Sequence, residues 1–315
     1  MADRKIIAVV GATGAQGGAL VQAILADPNG GFAARALTRK TTGEKADALR
    51  KAGAEVVAAD LDDVESLVKA FTGAHGVFAL TNFWEHFSAD KEIEQAKNQA
   101  EAAKRAGVRH VVWSSLEDTR RWIPLSDDRM PTLHGKWKVA HFDGKGEADK
   151  EFTSRVPTTI LLTSFYWENL IYFGAGPAKG PDGTLAITMP MGDKKLPGIG
   201  VNDIGKTAYA IFKGGHRFIG KTVAIAGEHL TGKQMAEKLS KAIGQPVRYN
   251  DVPPEVYRSF PFPGADDMGN MFQFKRDFND DFVGARDLKV ARELNPELQT
   301  FDQWLKKNAA KIPLG

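Results

Sequence analysis

Glycines at positions 11, 14 and 17 follow an apolar run of strand length, Ile6 to Val10, and open directly into Gly18-Ala19-Leu20-Val21-Gln22-Ala23-Ile24-Leu25, which reads as a helix. In a strand, tight turn and helix in that order, the free amides at the helix start favour an anion. The glycines let the backbone turn sharply and approach a pyrophosphate closely. Gly11, Thr13, Gly14, Ala15, Gln16 and Gly17 are therefore candidate phosphate contacts. Arg39 and Lys40 follow the next strand, where the adenosine ribose of a dinucleotide would lie. An acid at that place accepts from the ribose 2′-hydroxyl of NAD, whereas a cation suits the 2′-phosphate of NADP, and a guanidinium offers it two donors. The strand end carries no acid, so the expectation is NADP(H) in preference to NAD(H). A third group is His141 and Lys145, four positions apart in a segment that reads as helix and so on one face of it. An imidazole with an unperturbed pKa of about 6.5 can exchange protons near neutrality. An imidazolium beside Lys145 would meet like-charge repulsion, and the reading adopted for His141 is structural or ligand-contacting.

The elements that must position these groups alternate. The first helix stops at Asp27-Pro28-Asn29-Gly30-Gly31, Phe32 to Thr38 is a strand, Glu44 to Ala52 a helix and Ala54 to Ala58 a strand. Asp60-Leu61-Asp62-Asp63 caps a helix from Val64 to Phe71, with Asp60 placed to meet an adenine edge. His75 to Leu80 is the fourth strand and runs into Thr81-Asn82-Phe83-Trp84-Glu85. Ligands bind outside the carboxyl ends of parallel strands, so this cluster should border the dinucleotide. The helix Ala89 to Ala106 carries Lys97; the strand Arg109 to Ser114 follows, then a polar loop from Asp118 to Lys138. Five strand-helix repeats with short connections predict a parallel sheet covered by helices on both faces. Val156 to Thr163 is a sixth strand, and the aromatics Phe165, Tyr166, Trp167, Tyr172 and Phe173 crowd its end. Gly174 to Gly183, with Pro177 and Pro181, reads as the passage into a smaller domain. Asp203 is placed to cap a helix ending near Phe212, Thr222 to Ala226 is a strand, and Thr231 opens a capped helix to Gly244. Val252 to Phe282, rich in proline and phenylalanine, reads as a lid, a partner surface or the packing of a loop-rich domain.

The 43% hydrophobic and 26% charged composition is that of an ordinary globular protein, and a net charge of +3 gives no field that argues for nucleic acid or membrane. Zero cysteines exclude disulfides, thiolate catalysis and cysteine-ligated metal. No histidine and acid cluster has metal spacing, and no Gly-x-Ser-x-Gly elbow is present. Met1-Ala2-Asp3-Arg4-Lys5 leads at once into the first strand, from which no targeting peptide is expected; the protein is expected to be cytoplasmic, and a monomer or homodimer.

The glycine spacing resembles that of extended and atypical short-chain dehydrogenases. In short-chain dehydrogenases a Ser or Thr ends the fifth strand and the next helix carries Tyr-x-x-x-Lys, whose lysine fixes the nicotinamide ribose and activates the tyrosine. Here Ser114, Ser115 and Lys145 are present and His141 stands in place of the tyrosine; Tyr166 is the nearest remaining phenol. More specifically, Gly11 to Gly18, Thr81 to Glu85, Ala140-His141-Phe142-Asp143-Gly144-Lys145-Gly146-Glu147, Glu168-Asn169-Leu170 and Phe262-Pro263-Gly264-Ala265 together resemble the NmrA-like family. Within it they are most similar to the NADPH-sensor branch that includes the animal NmrA-like proteins. The resemblance runs from about residue 5 to Phe301-Asp302-Gln303-Trp304-Leu305. It implies a Rossmann-type, doubly wound NADP(H) domain over 1–155, its sheet completed near 156–163 and within 200–226. A smaller α+β carboxy-terminal domain over about 164–315, interleaved with the first, would hold substrate or partner. It further implies cofactor contacts at Gly11 to Gly17, Arg39, Lys40, Asp60, Leu61, Thr81, Asn82, Phe83, Lys97, Lys145, Phe165, Tyr166, Trp167 and Asn169. The function so implied is a regulatory redox sensor with a degenerate dehydrogenase site. The alternative is an NADPH-dependent reductase of a quinone, enone or other apolar carbonyl, with Lys145, His141 and Tyr166 as its candidate catalytic residues.

Overall fold

The computed structural model describes residues 4–180 and 182–315; the expectations for Met1, Ala2, Asp3 and Pro181 fall outside the described residues. In chain order the elements are β1 (Lys5–Val9), α1 (Ala15–Leu25), β2 (Phe32–Thr38), α2 (Glu44–Lys51), β3 (Glu55–Ala58), α3 (Val64–Phe71), β4 (Gly76–Ala79), α4 (Ala89–Arg105), β5 (His110–Ser115), α5 (Ala140–Thr153) and β6 (Thr158–Leu162). Then follow β7 (Phe165–Tyr166), α6 (Asn169–Tyr172), β8 (Ala178–Lys179), β9 (Leu185–Thr188), β10 (Lys195–Ile199), α7 (Val201–Gly214), β11 (Thr222–Ala224), β12 (Glu228–Thr231), α8 (Gly232–Ile243) and β13 (Val247–Asn250). The chain ends in α9 (Pro254–Arg258), α10 (Ala265–Asp277), α11 (Asn279–Gly284), α12 (Leu288–Leu294) and α13 (Phe301–Asn308). These divide into two compact units.

The first unit holds the described residues up to Asp118 together with Gly144–Leu162 and Val201–Val223. Its seven-stranded sheet has the order β11-β6-β5-β4-β1-β2-β3, and the pairs among β1 to β6 are parallel. Every residue of β4 and β5 is buried, as helices on both faces require. On one face Leu67, Phe71, Ala96, Ala100, Trp113 and Phe152 close a core between the sheet and α3, α4 and α5. On the other, α1 packs closely on α7. A Cβ at Gly205 would stand 2.3 Å from the Ala19 backbone, so only glycine allows this approach. The Asp27 carboxylate beyond α1 accepts from Tyr209 and Lys213 of α7, which fixes the far end of the pair.

His110 is buried in β5, its Nε2 2.8 Å from the Thr159 hydroxyl, which itself donates to the Phe218 carbonyl. Thr159 must therefore accept, and the imidazole is the neutral Nε2–H tautomer. Burial pushes its pKa down to about 4. A depressed histidine pKa means that the unfolded chain binds the extra proton first. Stability is therefore full above the unfolded value near 6.5 and is lost as pH falls from there towards 4. The expected loss is roughly 3 kcal/mol. Denaturation of wild type and His110→Gln across pH 4 to 7 should show this slope in the wild type and lack it in the variant.

The second unit comprises Thr119–Asp143, Thr163–Gly200 and Ala224–Gly315. It carries two three-stranded sheets, β12-β10-β7 and β13-β9-β8, with α8 and α13 entered through capping boxes at Thr231 and Thr300. Trp167 packs on Phe301 and Trp304 at its centre. Three expectations change. Asp203 lies inside the first turn of α7 and is buried, not at its cap. Residues 119–138, read as a polar loop, include buried Met130 and Trp137, and Lys138 is buried with its ammonium donating to the carbonyls of Asp127 and Met130. Val252 to Phe282 is largely helical, in α9, α10 and α11. Phe272 and Phe274 of α10 and Phe282 of α11 form core there, because α10 is buried on nearly every side rather than along one stripe.

Candidate functional site

In the first unit the glycine turn has the geometry of an anion cradle. Gly11 sits at φ +64°, a conformation that favours glycine, and its carbonyl accepts from the Gly14 amide. A Cβ at Gly17 would meet the Gly11 carbonyl oxygen at 2.4 Å, so the helix packs directly on the turn's backbone. Gly14 caps α1 in an extended conformation, with no side chain bonding the first amides and no acid in the first turn. Those amides thus remain donors for an anion from outside. Thr13 is half-buried and Ala15 exposed beside them, and Gln16 accepts from Ser114 of β5 at 2.8 Å. Residues of the cofactor class expected for this turn therefore fit it.

Around this turn Arg39 and Lys40 are exposed, and Arg39 pairs at 2.7 Å with Glu85, an acid that sequence order places 46 positions away. Asp60 is exposed and accepts from the Asp62 amide, while the Leu61 carbonyl accepts from Asn98. Asn82 is exposed at the start of the 3-10 turn Phe83–Glu85, whose Phe83 is buried. Lys97 lies on the exposed face of α4.

Lys145 is the most constrained of the expected residues. Its ammonium donates to the Thr81 carbonyl at 2.9 Å and to the Thr81 hydroxyl at 2.7 Å, and pairs with Glu92 at 2.9 Å. Three donors thereby have three protein acceptors. Thr81 donates in turn to Glu92, which is wholly buried in α4 and has its second oxygen without a hydrogen-bond partner. The ring of Trp113 lies under the ammonium at 5.4 Å. Ser115 and Trp113 both donate to Asp149 of α5, so the two serines of β5 are held by Gln16 and Asp149 respectively.

In the second unit the imidazole of His141 is bonded through Nδ1 to the Asp267 carboxylate, whose other oxygen accepts from the Ala140 amide. Both side chains are buried. The start of α5 is held by Asp143, which accepts from the amides of Thr119, Lys138 and Val139 and from the Thr119 hydroxyl. Burial holds its carboxyl above the ordinary range, with those hydrogen bonds opposing. Tyr166 is half-buried, 3.5 Å from the Thr163 hydroxyl; Phe165 is buried, and Asn169 starts α6. The ring of Trp167 is 1% exposed and serves the core of its unit.

Glu92, Asp267 and the partnership of Glu85 escape sequence reasoning. Glu92 looks like an ordinary first-turn acid behind the Ser88 cap, and Asp267 like one of two acids opening α10. Only tertiary placement shows what each faces.

A doubly wound parallel sheet with a glycine turn at the end of β1 defines a Rossmann-type protein. The model of the NmrA-like family matches residues 3–305, and the chain belongs to that family. The NmrA-like family domain-containing oxidoreductase FrzB of Cladobotryum sp is 30% identical over 286 residues, 85% of this chain and 83% of its own. Among solved structures, the negative transcriptional regulator NmrA, crystallised in complex with NADP and separately with NAD, superposes with a TM-score of 0.78 at 24% identity, over 98% of this chain and 96% of its own. Triphenylmethane reductase of Citrobacter sp., complexed with NADP(H), gives 0.73 at 20% identity, over 97% and 99%. At these identities the two structures attest the fold. Among the described residues no helix is long and apolar enough to cross a membrane.

Proposed function

We propose that this chain binds a nicotinamide dinucleotide, NADP(H) in preference to NAD(H), and acts as a regulatory protein whose conformation or partner binding follows occupancy. The fit of the glycine turn, with its uncapped helix and a Gly17 whose place leaves no room for a Cβ without backbone movement, supports the binding. Gly11 to Gly17 would hold the pyrophosphate, Arg39 and Lys40 the adenosine end, and Thr81 to Phe83 the edge of β4. The relatives that carry dinucleotides in their solved structures support the same class of ligand. The observation that favours regulation is the engagement of Lys145. Its donors are held by Thr81 and Glu92, and the position one turn earlier on α5 is a histidine bonded to Asp267 where a dehydrogenase has its tyrosine. A sensor of this kind needs different affinities in its two states.

The pairing of His141 with Asp267 favours a second reading, an NADPH-dependent reductase of an apolar quinone, enone or carbonyl. When bound, the reduced nicotinamide supplies a hydride; the protein's share is to orient and to provide a proton. With Nδ1 held by Asp267, Nε2 is the atom through which His141 would pass one. Both readings are separated by the absorbance of bound NADPH at its reduced-nicotinamide band while quinones, enones and aldehydes are added. Tight binding with no protein-dependent loss of the band across the panel is expected, and loss with any member would replace the regulator by a reductase.

A further inference from the structure

The end of β2 carries the cation that suits NADP, yet folding brings to it the acid that suits NAD. We propose that Glu85 is a specificity-determining residue of the adenosine subsite, acting against Arg39 to hold down the preference for a 2′-phosphate; the inference rests on the dinucleotide reading above. The Arg39 and Glu85 side chains meet at 2.7 Å while remaining 67% and 44% exposed. An ion pair so exposed is weak and readily exchanged. The backbone that carries Glu85 is held firmly. Glu85 ends a 3-10 turn anchored by buried Phe83, whose ring packs on Trp84 and Phe87, and Phe87 closes the turn at φ +53° with its amide on the Phe83 carbonyl. A carboxylate there has two effects of opposite sign. It repels the dianionic 2′-phosphate that Arg39 would bind, and it can accept from the 2′-hydroxyl that NAD presents in the same place. The pair therefore serves either cofactor. Arg39 turns from Glu85 to a 2′-phosphate, or stays with Glu85 while the carboxylate takes the hydroxyl.

Calorimetric titration of the whole protein with NADPH and with NADH tests this, using wild type, Glu85→Gln, Glu85→Lys and Arg39→Ala at low and high salt. Removing the acid should tighten NADPH about tenfold and leave NADH unchanged or weaker, and the lysine variant should go further in the same direction. Arg39→Ala should weaken NADPH and spare NADH. The NADPH gain should shrink as salt screens the exposed charges. An NADH-to-NADPH affinity ratio unchanged in both Glu85 variants overturns the proposal while leaving the dinucleotide site in place. Failure of wild type to bind either nucleotide overturns the dinucleotide reading beneath it.

Discussion

Lys145→Met should destabilise the protein by about 3 to 5 kcal/mol, because it leaves the carboxylate of Glu92 buried with only the Thr81 hydroxyl for company. Glu92 is wholly inaccessible, and one of its oxygens already lacks a hydrogen-bond partner in the presence of the lysine. Taking the ammonium away removes the only cation paired with it among the described residues and exposes nothing to water in return. The measurement is the denaturation midpoint of Lys145→Met, Glu92→Met and the double variant. Glu92→Met should cost less than Lys145→Met, since the ammonium keeps both Thr81 acceptors and is itself 13% exposed. The double variant, which replaces the pair by apolar groups of similar length, should recover most of the loss. A Lys145→Met variant as stable as wild type would show that the lysine is not needed to offset the buried acid.

Gly17→Ala should cost about 3 kcal/mol or more, whereas Gly14→Val should leave stability nearly unchanged and abolish dinucleotide binding. The added methyl at position 17 would lie 2.4 Å from the Gly11 oxygen and 2.6 Å from the Gly11 carbon and the Val10 oxygen. All three are backbone atoms of the turn, which can give way only by prising α1 from β1. At position 14 the nearest atom to a new Cβ is the Gly11 oxygen at 3.3 Å, and the backbone is extended, with φ −99° and ψ −173°, which valine adopts readily. Its side chain would instead occupy the space over the uncapped amides. An affinity loss of about a hundredfold, or about 2.7 kcal/mol of binding, is expected. Thermal melting and calorimetry on both variants separate the two effects. Unaltered affinity in a folded Gly14→Val variant would remove the pyrophosphate from this turn.

What the sequence made legible was what depends on neighbours in the chain. The strand before Gly11, the caps at Asp63 and Thr231 and the helix through Lys145 all follow from local periodicity and turn chemistry and are found within a residue or two, while the first helix, expected from Gly18, begins three residues earlier at Ala15. The parallel sheet followed as well, because strands with helices between them have few other ways to pair. Illegible were the relations between groups far apart in sequence. Nothing near Lys145 announces Glu92 or Thr81, nothing near His141 announces Asp267, and the absence of an acid after β2 said nothing of Glu85. Lys138 ends the segment read as a polar loop, and only two carbonyls converging on its ammonium account for its burial. The aromatic stretch around α10 left lid, partner surface and packing all open, and packing is what Phe272, Phe274 and Phe282 do. Prolines and phenylalanines in alternation gave loop signals, while Phe272, Phe274 and Phe282 were assembling a core that also encloses the ammonium of Lys275.

The indole of Trp113, beneath the Lys145 ammonium and stacked on Phe152, gives the protein an optical reporter of its own. It is sealed from solvent, its N–H is fixed on Asp149, and its ring faces the ammonium of Lys145. Any displacement of that charge alters the field across the chromophore. The emission of this tryptophan should therefore shift in colour when the site fills, and a Trp113→Phe variant identifies its share of the signal.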